Sequence, residues 1–180
     1  MAGLGIVRRI WLSRFSRPAA ERILYRHVLR SRPRRMLELG LGLLGRTERL
    51  LRAVGSDLQY VGVDRFESRT PSDPPGVSLK QAHRRLHGLA RVQLVPGNVD
   101  TSLARLCNHL GVFDLVVISA DTDERHLERS WFFLQRVTNP ATTVFLESRS
   151  GASSTWAVVS KPRIDELAAR SVQPPLRRAG

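Results

Sequence analysis

Cysteine is almost missing from this chain of 180 residues: Cys107 stands alone. One thiol excludes an intrachain disulfide and a cysteine-based zinc site, and it suits a reducing, cytoplasmic setting. Lysine is nearly as scarce, two residues against 27 arginines. A composition bias of the whole genome gives such a ratio, and so does selection of the planar guanidinium for phosphate. Long apolar runs are absent too. No stretch reaches the roughly 18–20 residues that a membrane-spanning helix needs. The longest near the start, residues 4–12, is broken by Arg8 and Arg9, which also spoils it as the core of a signal peptide.

Acids are outnumbered, 16 against 29 basic residues, for a net charge of +13. That total suggests a nucleic-acid protein until it is divided along the chain. Residues 1–35 hold ten arginines and one acid, Glu21; residues 161–180 hold five basic and two acidic groups; residues 36–160 are nearly neutral. Basic patches steer anionic partners only where they are concentrated. The expected organisation is therefore a basic helical arm over 1–34, a domain over 35–160 and a basic tail over 161–180.

In the arm, Leu4, Val7, Trp11 and Phe15 recur at helical spacing between arginines, which predicts an amphipathic helix over 4–15. A second helix is expected over 18–30, with Pro18 in its first turn and Arg32-Pro33 past its end. Strands and helices then alternate. Strands are predicted at 35–39, 59–63, 91–95, 113–119 and 142–147. Helices are predicted at 43–53, 78–87 (capped by Ser78), 99–109 and 124–137. A Pro- and Ser-rich loop fills 66–77. A sixth strand over 155–159 and a short helix over 162–169 complete the pattern. Five strands separated by helices imply an α/β fold of three layers, a doubly wound, Rossmann-like and mostly parallel sheet with both faces covered.

The chemistry concentrates in Glu38-Leu39-Gly40-Leu41-Gly42-Leu43-Leu44-Gly45, where the first strand turns into a helix. Gly40 and Gly42 permit a tight turn and a close approach of ligand to backbone; Gly45 suits close packing of helix on strand. Asp64 ends the second strand 19 residues later, where a carboxylate accepts hydrogen bonds from ribose hydroxyls. Over roughly residues 35–147 the sequence resembles the class I S-adenosylmethionine-dependent methyltransferases. Their acid-x-Gly-x-Gly motif matches Glu38 to Gly42, and their second-strand acid matches Asp64 in Val61-Gly62-Val63-Asp64-Arg65. The Gly-Asp after their third strand reads Gly97-Asn98 here, and Asn keeps an oxygen for an adenine amine. Their fourth strand resembles Phe113-Asp114-Leu115-Val116-Val117-Ile118-Ser119-Ala120-Asp121. The resemblance implies S-adenosylmethionine as cofactor, held by Glu38, Gly40, Gly42, Asp64, Arg65, Asn98 and Ser119. A physical argument points the same way: the sulfonium is cationic, and an acid at Glu38 would repel the pyrophosphate of a dinucleotide. The Gly-x-Gly-x-x-Gly spacing keeps NAD(P) binding as an alternative.

Methyl transfer needs a positioned nucleophile, sometimes a general base, and little else. Asp121 and His126 are the candidates for catalytic roles, with Ser119 and Asp123 nearby; Asp123 and Glu124 also suit the start of the following helix. Asp121 and Glu147 offer two carboxylates, but the Asp-Asn pair of metal-dependent relatives is absent, so no metal is expected. His83 and His87 share a helix face and lack a third ligand. The family usually closes its sheet with two further strands, the last antiparallel; with 33 residues after Glu147, that hairpin must be truncated or absent, and the exposed edge suggests a homodimer. The arm suggests nucleic acid or an anionic membrane as partner. The expected function is methyl transfer to an acceptor the sequence does not name; the alternative is a methyltransferase-like scaffold that has lost catalysis.

Overall fold

The computed structural model describes residues 18–151 and 153–172. The helix predicted over 4–15, and with it half of the basic arm, lies outside the described residues, as does the end of the tail. A 3-10 turn at Ala19–Glu21 leads into α1 (Arg22–Ser31). There follow β1 (Arg35–Leu39), α2 (Gly45–Val54), β2 (Gln59–Asp64), α3 (Leu79–Leu86), β3 (Arg91–Pro96), α4 (Val99–Leu110), β4 (Leu115–Ile118), α5 (Glu124–Arg136), β5 (Thr143–Ser150), β6 (Ser153–Val159) and α6 (Lys161–Val172).

The strands form one sheet in the order β3-β2-β1-β4-β5-β6. All neighbours are parallel except β5 and β6. Period-two alternation sends successive side chains to opposite faces, so a strand covered on both sides feeds two cores. In β1, Met36 joins one core with Leu24, Tyr25, Leu50 and Leu86 from α1, α2 and α3. Leu37 and Leu39 join the other with Leu103, Leu110, Trp131 and Ile164 from α4, α5 and α6. Each such side chain contributes roughly 1.5–3 kcal/mol by leaving water. These two layers clamp the sheet and fix the strand tips that carry the site.

Local signals set the boundaries. Ser78 accepts from Gln81 N while Gln81 answers to Ser78 N, a complete capping box at the start of α3. Two features sharpen the expectation. The helix over 162–169 extends to Lys161–Val172 and buries Ile164 and Ala168 in the core, so the described part of the tail belongs to the packed domain. The closing hairpin is shortened and not absent: β6 begins at Ser153, pairs antiparallel with β5 from Ser150↔Ser153 to Val144↔Val159, and is the last strand among the described residues. No helix among the described residues is long and apolar enough to cross a membrane.

Candidate functional site

Reversal of strand order between β1 and β4 opens a crevice at their carboxyl ends, where such sheets bind ligands. The glycine turn crosses it. Gly40 has φ +77°, and a Cβ there would lie 2.8 Å from Thr122 Oγ1 and 3.1 Å from Ser119 Cβ. Gly42 has φ +56°, and its Cβ would lie 3.0 Å from Asp121 Oδ2. Conformation therefore demands glycine at both positions, and at Gly40 space does as well. Gly45 does not: a Cβ there would meet only the Arg49 side chain, at 3.5 Å, and no strand. The expected close packing at Gly45 is thus not what selects it.

Asp64, at the tip of β2, is buried beneath this turn. Its Oδ2 accepts from Leu41 N at 2.7 Å and Gly42 N at 3.2 Å; its Oδ1 accepts from Phe66 N at 2.9 Å. Phe66 and Leu44, which flank this arrangement, hold left-handed φ values of 49° and 67°. Such strain in non-glycine residues collects at ligand sites.

The remaining valence of Asp64 is taken by the chain itself. Arg69 reaches back from the loop after β2 and donates Nε to Oδ1 at 3.1 Å and Nη2 to Oδ2 at 2.7 Å. Its Nη1 donates to Pro74 O at 2.6 Å. The loop is tied further by Arg65, whose Nη1 lies 2.8 Å from both oxygens of Asp73, and by Thr70 N to Asp73 Oδ2 at 2.7 Å. The compartment bounded by Asp64, Arg69, Asn98, Thr122 and His126 retains a void of about 20 Å³. That is room for one water.

Glu38, expected to face the cofactor, is wholly buried and does not line that compartment. Arg46 Nε donates to its Oε1 at 2.9 Å, and Tyr60 Oη to its Oε2 at 2.8 Å. Arg46 also donates to Gly40 O at 2.9 Å, lies 3.5 Å from Glu147 Oε2 and stacks 5.2 Å from the Trp156 ring. Burial works against the charged guanidinium, but Glu38, then Glu147 and Glu21, outweigh it and hold the Arg46 pKa above its ordinary value. Burial and the Glu38 charge push the Tyr60 phenol well up. The Glu38 charge is therefore balanced internally, and repulsion of a pyrophosphate does not act through it.

Ser119 is buried and donates to Glu147 Oε2 at 3.0 Å. Burial alone would raise the Glu147 pKa, yet Ser154, the Ala120 amide, Arg46 and Ser119 together hold it below the ordinary 4.5. A carboxylate with a depressed folded pKa stabilises above its unfolded value and loses that contribution as pH falls through the folded one. Glu147→Gln is thus expected to be less stable than the parent at pH 7, with the difference shrinking below about pH 4.5. Urea midpoints at pH 7 and pH 3 check this, and an unchanged difference contradicts it.

Asp121 sits between two concavities. It lines the small compartment, and it also lines a cleft of about 460 Å³ on the other side of the glycine turn, walled by Leu41, Leu43, Leu44, Pro74 and Pro75. Its Oδ1 pairs with Arg149 Nη1 at 2.8 Å. His126 lines only the small compartment of the two, and its Nδ1 lies 2.9 Å from Asp100 Oδ1. Asp123 caps α5, accepting from Arg125 N and His126 N. Asn98 precedes α4 with no side-chain cap bond and faces the compartment. Among the described residues no three His, Cys, Asp or Glu side chains converge as a metal site. Three residues escaped the sequence reading: Arg46, Arg69 and Asp100. Only Arg46 carried a signal, a cation in the first turn of a helix where the dipole disfavours it.

The sequence matches no protein-family model and no curated protein. Its fold, however, recurs among solved methyltransferases. The O-methyltransferase TomG from Streptomyces achromogenes, solved with S-adenosylmethionine, matches with TM-score 0.57 and 17% identity, over 78% of this chain and 64% of that one. The O-methyltransferase from Bacillus cereus, solved with S-adenosylhomocysteine, matches with TM-score 0.54 and 16% identity, over 93% and 68%. MycE, the methyltransferase of the mycinamycin pathway solved with Mg and S-adenosylhomocysteine, matches with TM-score 0.51 and 18% identity; this chain covers only 36% of its length. The chain has the Rossmann-like fold of class I S-adenosylmethionine-dependent methyltransferases.

Proposed function

We propose that the protein is a class I methyltransferase that uses S-adenosylmethionine, without a metal, on an acceptor of small-molecule size. One observation carries the choice of cofactor. Two amides of the glycine turn, Leu41 N and Gly42 N, are spent on Asp64 Oδ2. A dinucleotide needs such amides for its pyrophosphate; an adenosyl cofactor without phosphate does not. The donor set fits that group: Asp64 for ribose hydroxyls, Asn98 for the adenine edge, and a glycine turn without Cβ atoms beside it. The room does not fit until Arg69 moves.

When bound, the cofactor supplies a methyl group on a positively charged sulfur. The protein's part is positioning and charge. Asp121 lines both concavities, and this supports it as the group that would take the proton an acceptor hydroxyl or amine gives up. Leu41, Leu43 and the two prolines give the cleft apolar surface for an acceptor, beside the charged Arg46, Arg49, Glu147 and Arg149. His126, on the far side, serves the nucleoside compartment and not the acceptor. Asp121 and Glu147 are paired with Arg149 and Arg46, which leaves neither free for a metal.

Titration calorimetry of the wild-type protein with S-adenosylmethionine, S-adenosylhomocysteine and NAD tests the reading. The first two are expected to bind, with affinities unchanged by EDTA, and NAD is not. Binding of NAD alone would sink the proposal.

A further inference from the structure

We propose that Arg69 is an internal stand-in for the cofactor's ribose, so that the protein without cofactor holds its own nucleoside site shut and Arg69 sets the affinity. The inference rests on the reading of the site as one for S-adenosylmethionine. A vicinal diol presents two O–H donors to the two oxygens of a carboxylate. Arg69 presents two N–H donors to the same two oxygens, at 3.1 and 2.7 Å. With Leu41 N, Gly42 N and Phe66 N also on Asp64, the carboxylate accepts five hydrogen bonds. Its lone pairs are filled, so the ribose and Arg69 exclude each other.

A second observation shows that the fold is shaped to seat this arginine. Gly76 lies against the Arg69 side chain: a Cβ there would fall 2.3 Å from Nε, 2.7 Å from Cζ and 2.8 Å from Cδ. Gly76 has no left-handed φ, so contact with Arg69, not backbone conformation, is what a Cβ would disturb. Pro74 O, accepting from Arg69 Nη1, completes the seat. Pro74 and Pro75 also wall the acceptor cleft. Release of Arg69 on cofactor binding therefore reshapes that wall, and the cofactor is expected to bind before the acceptor.

If the competent state is a minor fraction, apparent affinity falls by that fraction, and a change that unseats the competitor restores it. Arg69→Met removes the donors. Gly76→Ala displaces the flexible guanidinium while keeping it. The two act by unrelated routes, so a folding defect in one leaves the other informative. Calorimetry with S-adenosylhomocysteine is expected to show binding about tenfold tighter or more in both variants than in the wild type. Thermal melts without ligand are expected to show both variants less stable, because the seat of Arg69 is lost. Detectable wild-type binding that neither folded variant tightens overturns the proposal while leaving the cofactor assignment intact. Absence of binding in wild type and both variants overturns the assignment and the proposal together.

Discussion

Arg46→Met is expected to destabilise the folded protein by about 3–5 kcal/mol, the cost of removing one partner from a buried ion pair. The effect follows from Glu38, which is wholly buried and has Arg46 as its cationic partner. Methionine keeps much of the packing against Trp156 but none of the five donors. One oxygen of Glu38 keeps Tyr60; the other loses its partner. Gly40 O loses its donor as well, directly beneath the glycine turn. Thermal and urea unfolding check the result, and for a chain of this size the melting point should fall on the order of 10 °C. Adding Glu38→Gln removes the stranded charge and should recover at least half of the loss. A single variant within 1 kcal/mol of wild type, or a double variant no better than the single, contradicts the account. Because a buried pair of this kind is no more stabilising than well-packed apolar residues, stability alone does not explain it. Its position, bridging Glu38, the Gly40 carbonyl and Glu147, ties the glycine turn to β1 and β5.

The fold was legible because its signals are local and periodic. The short apolar runs of β2 and β4, bounded by turn residues, read as strands buried on both faces, and the expected range 35–39 matches β1 residue for residue. Ser78 announced its helix as a cap residue, and Asp123 through its place before Glu124. The placement of Gly40, Gly42 and Asp64 in one crevice was likewise legible, since glycine turn and strand-tip acid are fixed by the same βαβ geometry. The role of Glu38 was not. Its charge invited an electrostatic argument, but the charge that answers it, Arg46, lies eight residues on and is one arginine among 27. Arg69 was hidden for the same reason: in a chain so rich in arginine, a loop arginine carries no signal until its contact with Asp64 is seen. Long-range pairing of common residues has no sequence period to betray it. The hairpin after β5 was underread because Ser148 to Ser154 looks like a polar loop, whereas Ser148–Ser150 continue β5 and pair with Ser153–Thr155 as the solvent-exposed end of the β5–β6 pair.

Asp64→Ala is expected to weaken S-adenosylhomocysteine binding on the order of a hundredfold. Two hydrogen bonds from ribose hydroxyls to a carboxylate contribute roughly 1.5–3 kcal/mol each. Against that loss stands a gain, since the variant no longer holds Arg69 over the site. The gain is smaller, because tenfold corresponds to about 1.4 kcal/mol. The net sign is therefore loss, and its size is less than the two hydrogen bonds alone imply. Stability falls too: Leu41 N, Gly42 N and Phe66 N are left without their acceptor beneath the turn, at roughly 1–3 kcal/mol for each buried group that water does not reach. The coupling of the two residues supplies the sharper result. In the wild-type background Arg69→Met tightens binding; in the Asp64→Ala background the same change has no acceptor to free and should leave affinity unchanged. A double-mutant cycle measured by calorimetry isolates that term. Equal effects of Arg69→Met in both backgrounds would mean that Arg69 acts on the ligand directly and not through Asp64.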